Sequence, residues 1–138
     1  MEKLNKLEWE EAYSVGVALI DEQHKMLIAT INELLDVIDT KPTKEKTDSV
    51  INKLIQYKQF HFATEEKYFK EFNYKKTDEH IAKHRLFTKK ITEIQNRSTD
   101  NYVALVYELI DFLENWFVDH LLHVDHEYIE CFHQHGLR

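Results

Sequence analysis

The chain has 138 residues, 43% of them hydrophobic and 31% charged, and carries a formal net charge of −7 at pH 7. That length suits one domain with a core of its own, and two glycines and one proline favour long helices over a many-stranded sheet. Acidic and basic residues are interspersed rather than in blocks, which excludes a basic surface for nucleic acid.

The first part of the chain predicts an arm followed by a helix. Residues 1–20 mix aromatic and β-branched residues with charges and show no sustained 3.6-residue period, so we expect an ordered arm that packs across the rest of the protein. Beyond it, apolar residues recur on one helical face, and the pattern stops before Pro42. This predicts a helix over about residues 21–39, with His24 on its buried face.

Two longer helices follow. Thr43 is a suitable N-cap for a helix over about residues 44–72, and Thr77 for one over about 78–96. Both have an apolar face at alternating spacings of three and four residues. Polar side chains interrupt these inward faces at His61, Glu65, His80 and His84.

A fourth helix is predicted over about residues 100–121. Its inward face has the same three-and-four spacing and consists of Val103, Val106, Ile110, Leu113, Phe117, His120 and, just beyond the helix, Val124. A short helical segment over about residues 125–133 ends the chain.

These elements predict an all-α fold in a single domain, residues 1–138. Four segments of about 20 residues, each about 30 Å long and joined by short polar loops, suit an antiparallel up-down-up-down four-helix bundle. The arm and the C-terminal segment complete it.

The buried polar residues of this bundle need partners. An unpaired imidazole or carboxylate in such a core costs roughly 1 to 3 kcal/mol or more. The order and length of the helices bring all of these residues to one end of the bundle, where a shared metal site would satisfy them. The set consists of His24, His61, Glu65, His80, His84 and His120.

Only one of three His/Glu pairs with four-residue spacing belongs to this set. Such a pair lies on one side of a helix, but chance alone places about one in a chain of this composition. The other two follow His120, where the apolar stripe runs out, and we expect them on a solvated face, as we do the tail residues His133 and His135. The three pairs are His61/Glu65, His123/Glu127 and His126/Glu130.

The residues His24, His61-x3-Glu65, His80-x3-His84 and His120-x4-Asp125, in this order, resemble the metal-ligand signature of the hemerythrin family. The stretches Gly16-Val17 and Asp21-Glu22-Gln23-His24-Lys25 resemble the single-domain bacterial members. The match runs from about Trp9 to Asp125. It implies a non-haem di-iron centre that binds O2 reversibly.

Asp125 enters through the resemblance alone. In a regular helix five residues turn the chain by about 500°, which leaves Asp125 about 140° from His120. If Asp125 is a ligand, the fourth helix must contain a π-type turn or a break around residues 122–124. The competing carboxylates are Asp119 and Glu127, and the family spacing favours Asp125.

The resemblance also implies the roles of the ligands. His80, His84 and His120 complete one iron, while His24 and His61 leave an open position on the other for O2. Glu65 and Asp125 bridge the two iron ions, together with an oxo or hydroxo group. We expect Ile28, Phe62, Trp116 and Phe117 to form the dry wall of the O2 pocket.

The ligand balance favours O2 storage, delivery or sensing over catalysis. Di-iron oxygenases use mainly carboxylates, and neutral imidazole stabilises highly charged iron less well than carboxylate does. We therefore predict a protein that is not an enzyme. The alternatives are a di-iron enzyme that reduces NO, peroxide or O2 with an external electron donor, and a plain module that holds zinc or stores iron.

The remaining expectations concern location and partners. The chain begins Met-Glu-Lys without an apolar signal, has one cysteine, Cys131, and lacks the roughly 20 apolar residues of a membrane span. We expect a cytoplasmic monomer or weak oligomer in which Cys131 is a packing residue. Its partners would be O2, NO as a second ligand and a separate reductase, since no flavin or nicotinamide motif is present.

Overall fold

The computed structural model describes residues 5–138, and in this part of the chain every regular element is helical. The all-α prediction is therefore confirmed. In chain order the elements are a 3-10 turn (Glu11–Tyr13), α1 (Ala18–Asp39), α2 (Lys44–Glu71), α3 (Thr77–Asn96), α4 (Tyr102–Trp116), a π-helix (Phe117–Val124), a second 3-10 turn (Asp125–Tyr128) and α5 (Ile129–Gln134).

The four long helices form the predicted antiparallel bundle. Helix α1 packs against α2 and α4, and α2 also packs against α3. Helix α3 contacts α4 through aromatic rings: the ring centroids of Phe87 on α3 and Phe112 on α4 are 5.4 Å apart. The inward faces build one apolar cluster along the bundle, which we call the bundle core; Leu27, Leu54, Phe87 and Leu109 are fully buried in it.

The helix starts differ in how they are capped. Thr43 caps α2 as predicted, since its hydroxyl accepts a hydrogen bond from the Lys46 amide at 3.2 Å. The prediction for Thr77 is wrong: it is the first residue of α3, and its hydroxyl donates to the Tyr74 carbonyl instead. Asn101 caps α4, accepting from the Ala104 amide at 3.1 Å.

One residue of the predicted inward stripe in the fourth helix points outward. Val103 is 48% exposed because it lies in the first turn of α4, whereas Val106 and Leu109 are fully buried. Regular α-helix also ends at Trp116, before the 121 that periodicity predicts, and a π-helix continues the chain.

The arm is ordered over its described residues; residues 1–4 of the predicted arm lie outside them. Asn32 of α1 holds Leu7 by two hydrogen bonds to its backbone, each 2.8 Å long. Further along, Tyr13 packs edge-on against Phe117 at 5.2 Å between ring centroids. The described part of the arm is therefore ordered and packs on the bundle, as predicted.

A second apolar cluster closes one end of the bundle, and we call it the end cluster. It joins the end of the arm to α2 and to the C-terminal segment and consists of Val15, Val17, Ile20, Phe69, Tyr74, Tyr128 and Phe132. Gly16 lies beside it with φ of 69°, and its carbonyl accepts a hydrogen bond from His133 at 2.9 Å. None of the helices described has the length and apolarity that crossing a bilayer requires.

Candidate metal centre

The structure brings all seven predicted ligands together between the bundle core and the end cluster. All are buried, with at most 3% exposure: His24, His61, Glu65, His80, His84, His120 and Asp125. Helices α1, α2 and α3 supply the first five, while the π-helix and the turn after it supply the last two. Their ligand atoms form two groups, and within each group these atoms lie within 4.8 Å of one another.

The first group contains three imidazoles and one carboxylate. Glu65 Oε1 lies 3.0 Å from His84 Nε2 and 3.5 Å from His80 Nε2. The His80 ring is 4.7 Å from that of His120, which completes the group. His80 and His84, one turn apart on α3, thus face Glu65 on α2.

The second group contains two imidazoles and both carboxylates. His24 Nε2 lies 3.2 Å from His61 Nε2, and His61 Nε2 lies 3.3 Å from Glu65 Oε1. Asp125 Oδ2 is 3.0 Å from His24 Nε2. Glu65 belongs to both groups and so stands between them.

Asp125 also spans the two groups, one oxygen to each. Its Oδ1 lies 3.0 Å from both His80 Nε2 and His120 Nε2, while Oδ2 faces His24. Two shared carboxylates between a two-imidazole group and a three-imidazole group can hold two cations side by side.

The π-helix explains how Asp125 reaches the site. The Asp125 amide donates to the His120 carbonyl five residues earlier, so the two side chains lie about one π-turn apart. This confirms the irregularity predicted around residues 122–124. The competing carboxylates are exposed, and Glu127 is paired with Lys76.

The other histidines lie outside this cluster. His123 is exposed and His126 is half-buried, with its Nε2 at 3.2 Å from the Tyr13 carbonyl. His135 is exposed, and its Nδ1 lies 2.8 Å from the carbonyl of Cys131.

Burial raises the pKa of the half-buried Cys131 thiol.

The electrostatics of the cluster keep its carboxylates ionised. Burial and the neighbouring Asp125 charge raise the pKa of Glu65, but contacts with His61, His80 and His84 reverse this, and the pKa falls below its usual range. Burial likewise raises the pKa of Asp125, and the contacts with His120, His24 and His80 more than offset it. Both side chains are therefore anionic, as metal ligands must be.

Several buried polar atoms of the cluster have no hydrogen-bond partner within the described chain. They are His24 Nδ1, Glu65 Oε2, His80 Nε2, both ring nitrogens of His120 and Asp125 Oδ1. His80 and His120 approach Asp125 closely, but without the alignment of hydrogen bonds. The Nε2 atoms of His80 and His120 and one carboxylate oxygen each of Glu65 and Asp125 converge here without hydrogen-bond partners among the described residues, which suits a metal ion, so the residues fit a metal centre.

Aromatic rings cover the cluster. Phe62 stacks on His84 at 3.8 Å between centroids, and Trp116 stacks on His120 at 3.9 Å. Two of the four expected wall residues, Phe62 and Trp116, thus stack on ligands of the three-imidazole group, while the other two, Ile28 and Phe117, are buried in the bundle core.

Tyr57 covers the other side, stacked on His61 at 5.1 Å. Sequence reasoning missed this residue. Its position four residues before His61, one helical turn away, is the signal that could have identified it.

Two polar side chains that sequence reasoning also missed support the ligands from outside. Gln23 Oε1 lies 2.8 Å from His61 Nδ1, and Glu66 Oε2 lies 2.8 Å from His84 Nδ1. Each is the immediate neighbour of a ligand in the sequence. Only the packing of α1 on α2, and of α2 on α3, shows which imidazole each one contacts.

Fold and cluster together define a metal-binding four-helix bundle with an imidazole-rich centre. The chain belongs to the hemerythrin family: the sequence profile of the hemerythrin HHE cation binding domain matches residues 15–132. That family binds non-haem iron.

Similar proteins share this assignment. The chain is 28% identical to a bacteriohemerythrin of Clostridium acetobutylicum over 126 residues, covering 88% of this chain and 98% of the relative. It is 29% identical to a bacteriohemerythrin of Pseudomonas aeruginosa, covering 91% and 80%. A hemerythrin-like protein of Naegleria gruberi is 25% identical, covering 87% and 88%.

Proposed function

We propose that this protein binds O2 reversibly at a non-haem di-iron centre. The observation that carries the proposal is the pair of ligand groups that share Glu65 and Asp125, because shared carboxylates hold two cations next to each other. His24 and His61 would hold one iron, and three imidazoles the other. Two ferrous ions held there, with an oxo or hydroxo group between them, would supply the two electrons that O2 binding requires, one from each iron.

The unequal number of imidazoles supports a proposal for the position of the O2 site. The group of His24 and His61 has one imidazole fewer than the opposite group. Because both carboxylates are shared, an octahedral metal there would have one more position without a protein ligand than the metal on the other side. Tyr57 faces this side, because its ring stacks on His61. We propose that O2 binds at the open position of this metal, on the side of the cluster that Tyr57 covers.

The composition of the site supports carriage rather than O2 cleavage. Five neutral imidazoles and two carboxylates stabilise highly charged iron less well than the carboxylate-rich sites of di-iron oxygenases. A carrier must release its ligand unchanged. We therefore propose that the protein is not an enzyme.

The surroundings of the site support reversibility because they exclude water. On the side of the proposed O2 site, Tyr57 is 3% exposed and packs against Phe62 at 6.2 Å between ring centroids. On the opposite side, Phe62 and Trp116 lie flat against His84 and His120. Ile28 and Phe117 are at most 6% exposed. A dry wall denies water and other nucleophiles access to the bound ligand.

The relatives named bacteriohemerythrin agree with this proposal at the level of the family. Several narrower expectations stay predictions: the choice among storage, delivery and sensing, NO as a second ligand, a separate reductase, a monomer or weak oligomer, and a cytoplasmic location for one domain over residues 1–138.

Visible spectroscopy tests the function directly. The iron-loaded protein is reduced without air, exposed to O2 and then returned to an inert atmosphere. We expect an absorption band that appears with O2 and bleaches when O2 is removed. Immediate and irreversible oxidation would refute carriage and favour a di-iron enzyme that reduces O2, peroxide or NO.

Two glutamate variants provide the matched controls. Glu65→Ala removes a buried carboxylate shared by both groups. The affinity for iron should fall by more than the roughly 10- to 100-fold that is lost when a residue behind a ligand is removed, so the purified variant should retain little iron and the band should disappear. Glu127→Ala removes an exposed carboxylate paired with Lys76 and should leave both unchanged. The reverse result would show that the wrong His/Glu pair had been chosen.

A further inference from the structure

The two outer side chains that touch the ligands are chemically different. Behind His61 stands Gln23, a neutral amide that is 7% exposed; behind His84 stands Glu66, a carboxylate that is 36% exposed. Both contacts are 2.8 Å long and involve Nδ1, the ring nitrogen that faces away from the cluster. One ligand in each group therefore has a partner behind it, and the two partners differ in charge and in exposure.

A chain of hydrogen bonds fixes the orientation of the Gln23 amide. The Thr64 hydroxyl donates its single proton to the Phe60 carbonyl at 2.8 Å, so towards Gln23 its oxygen can only accept. The Gln23 Nε2 amide group donates to that oxygen at 3.0 Å. The amide oxygen must then be the atom that faces His61.

This orientation fixes the tautomer of His61. An amide oxygen can only accept, so His61 Nδ1 must carry the proton that it donates to Gln23. In the neutral imidazole, Nε2 then has the free lone pair, and Nε2 is the atom that faces His24 and Glu65. Three residues on α1 and α2, Gln23, Thr64 and Phe60, thus prepare His61 to bind a metal before any metal arrives.

Glu66 has the same effect on His84 with a different charge. Its carboxylate accepts from His84 Nδ1, which leaves Nε2 directed at Glu65 Oε1, 3.0 Å away. A carboxylate behind an imidazole makes that imidazole a more basic ligand than a neutral amide does. His84 is accordingly the stronger electron donor of the two.

We propose that Gln23 and Glu66 are positioning residues that fix the metal-binding tautomers of His61 and His84 and make the two metal positions electronically unequal. The position on the His84 side favours the oxidised metal more strongly. The position on the His61 side, where the proposed O2 site lies, is easier to return to the reduced state. The redox part of this inference rests on the proposed di-iron function, whereas the positioning part requires only a metal ion.

Zinc retention tests the positioning part without iron or O2. The protein is loaded with Zn²⁺, which imidazole and carboxylate ligands bind well, and titrated with a competing chelator. Gln23→Leu removes the acceptor behind His61 and should weaken zinc binding about 10- to 100-fold. Gln23→Glu restores an acceptor and should recover most of that loss. Gln56→Leu, at an exposed position of α2, is the matched control and should change nothing.

Midpoint potentials of the iron-loaded protein test the inequality. Gln23→Glu should shift the potential downwards, because the carboxylate strengthens His61 as a donor, and Glu66→Gln should shift it upwards. Both substitutions preserve side-chain shape and an acceptor for the ring nitrogen, although Gln23→Glu gives up the amide donor to Thr64. Circular dichroism of both variants should therefore match the wild type. Gln56→Glu and Glu71→Gln change charge in the same way at exposed positions of α2 and should leave the potential unchanged.

The outcomes separate the two proposals. Wild-type zinc affinity in Gln23→Leu would overturn the positioning role, and unshifted potentials in both shape-preserving variants would overturn the inequality. If the wild-type protein holds iron but fails to bind O2 reversibly, the proposed function is wrong, and the zinc and potential measurements still decide the role of Gln23 and Glu66.

Discussion

At the scale of single residues, the same side chain behaves differently at neighbouring positions of one site. Burial lowers the pKa of His61 from its ordinary value of 6.5 to about 4, and Glu65 only partly opposes it. Burial also acts on His80, but contacts with Asp125 and Glu65 dominate and raise its pKa to about 9. At neutral pH the metal-free site therefore has a neutral His61 and a protonated His80.

These opposite shifts predict a stability maximum near pH 6.5 for the metal-free protein. His80 binds its proton more tightly when folded, so its stabilisation is complete below pH 6.5 and is lost as pH rises through about 9. His61 binds its proton less tightly when folded, so stability falls as pH drops from 6.5 towards 4. Each proton contributes up to about 1.4 kcal/mol per pH unit.

Urea denaturation of the metal-free protein at pH 5, 6.5 and 8.5 measures this effect. The free energy of unfolding should be highest at pH 6.5. With zinc bound, the decline above pH 6.5 should be smaller, because the metal replaces the proton on His80. A stability minimum at pH 6.5 would contradict the assignment of the two shifts.

At the scale of elements, the π-helix departs from regular α-helical geometry, and this departure brings Asp125 to the cluster. Three helices supply ligands from regular α-helical positions, and His61/Glu65 and His80/His84 need only the four-residue spacing. The fourth pair, His120 and Asp125, has five-residue spacing, and the chain adopts π geometry over Phe117–Val124 to accommodate it. Such segments commonly occur at functional sites.

This element should be the least stable part of the metal-free bundle. Its hydrogen bonds have less favourable geometry than those of α4. Binding of a metal by His120 and Asp125 would offset this loss of stability, but the metal-free protein lacks that contribution. Amide hydrogen exchange over residues 117–124 should therefore be faster than over 105–113 in the metal-free protein. A free metal concentration of about 100 times the dissociation constant should slow amide exchange over residues 117–124 about 100-fold.

Residues 46–53, at the start of α2 and away from the cluster, are the internal control. Their exchange should respond less to metal than that of the π-helix. Equal slowing in both segments would mean that the metal stabilises the molecule globally, with no local weakness at the π-helix.

Periodicity in the sequence was enough to predict the bundle and the five histidines of the cluster, because a histidine within an apolar stripe must point inward. It could not predict Asp125, whose position depends on a local departure from α-helical geometry. Tyr57, Gln23 and Glu66 were missed for other reasons. Tyr57 lies one helical turn before His61, and that spacing was a signal that went unused. The roles of Gln23 and Glu66 follow from contacts between helices, and nothing in their own spacing distinguishes them from ordinary helical residues.

At the scale of the whole molecule, the metal centre lies between two apolar clusters. Phe62 and Trp116 belong to or pack on the bundle core, and Phe69 of the end cluster lies 4.6 Å from the His80 ring. The end cluster is held together by chain segments far apart in sequence, among them the contact of Gly16 with His133. Closing this end shields the site from solvent.

Gly16→Ala should loosen that closure. With φ of 69°, a residue other than glycine costs about 1 to 2 kcal/mol, and the added Cβ would lie 2.6 Å from the His133 ring. Displacing His133 also breaks its hydrogen bond to the Gly16 carbonyl. The midpoint of urea denaturation should decrease accordingly.

Gly136→Ala is the matched control, because Gly136 has a similar φ of 79° but open space around the added Cβ. The excess destabilisation of Gly16→Ala over Gly136→Ala measures the contact with His133. Equal effects would show that His133 moves aside freely and does not help to hold the arm.

The stacking of Trp116 on His120 makes the protein its own optical probe. An indole 3.9 Å from a ligand ring is a fluorophore in direct contact with the metal centre, whereas the second tryptophan, Trp9, lies in the arm with Lys25 over its ring. A metal with visible absorption quenches emission over so short a path. Filling and emptying of the site can therefore be followed by the fluorescence of Trp116, without a label.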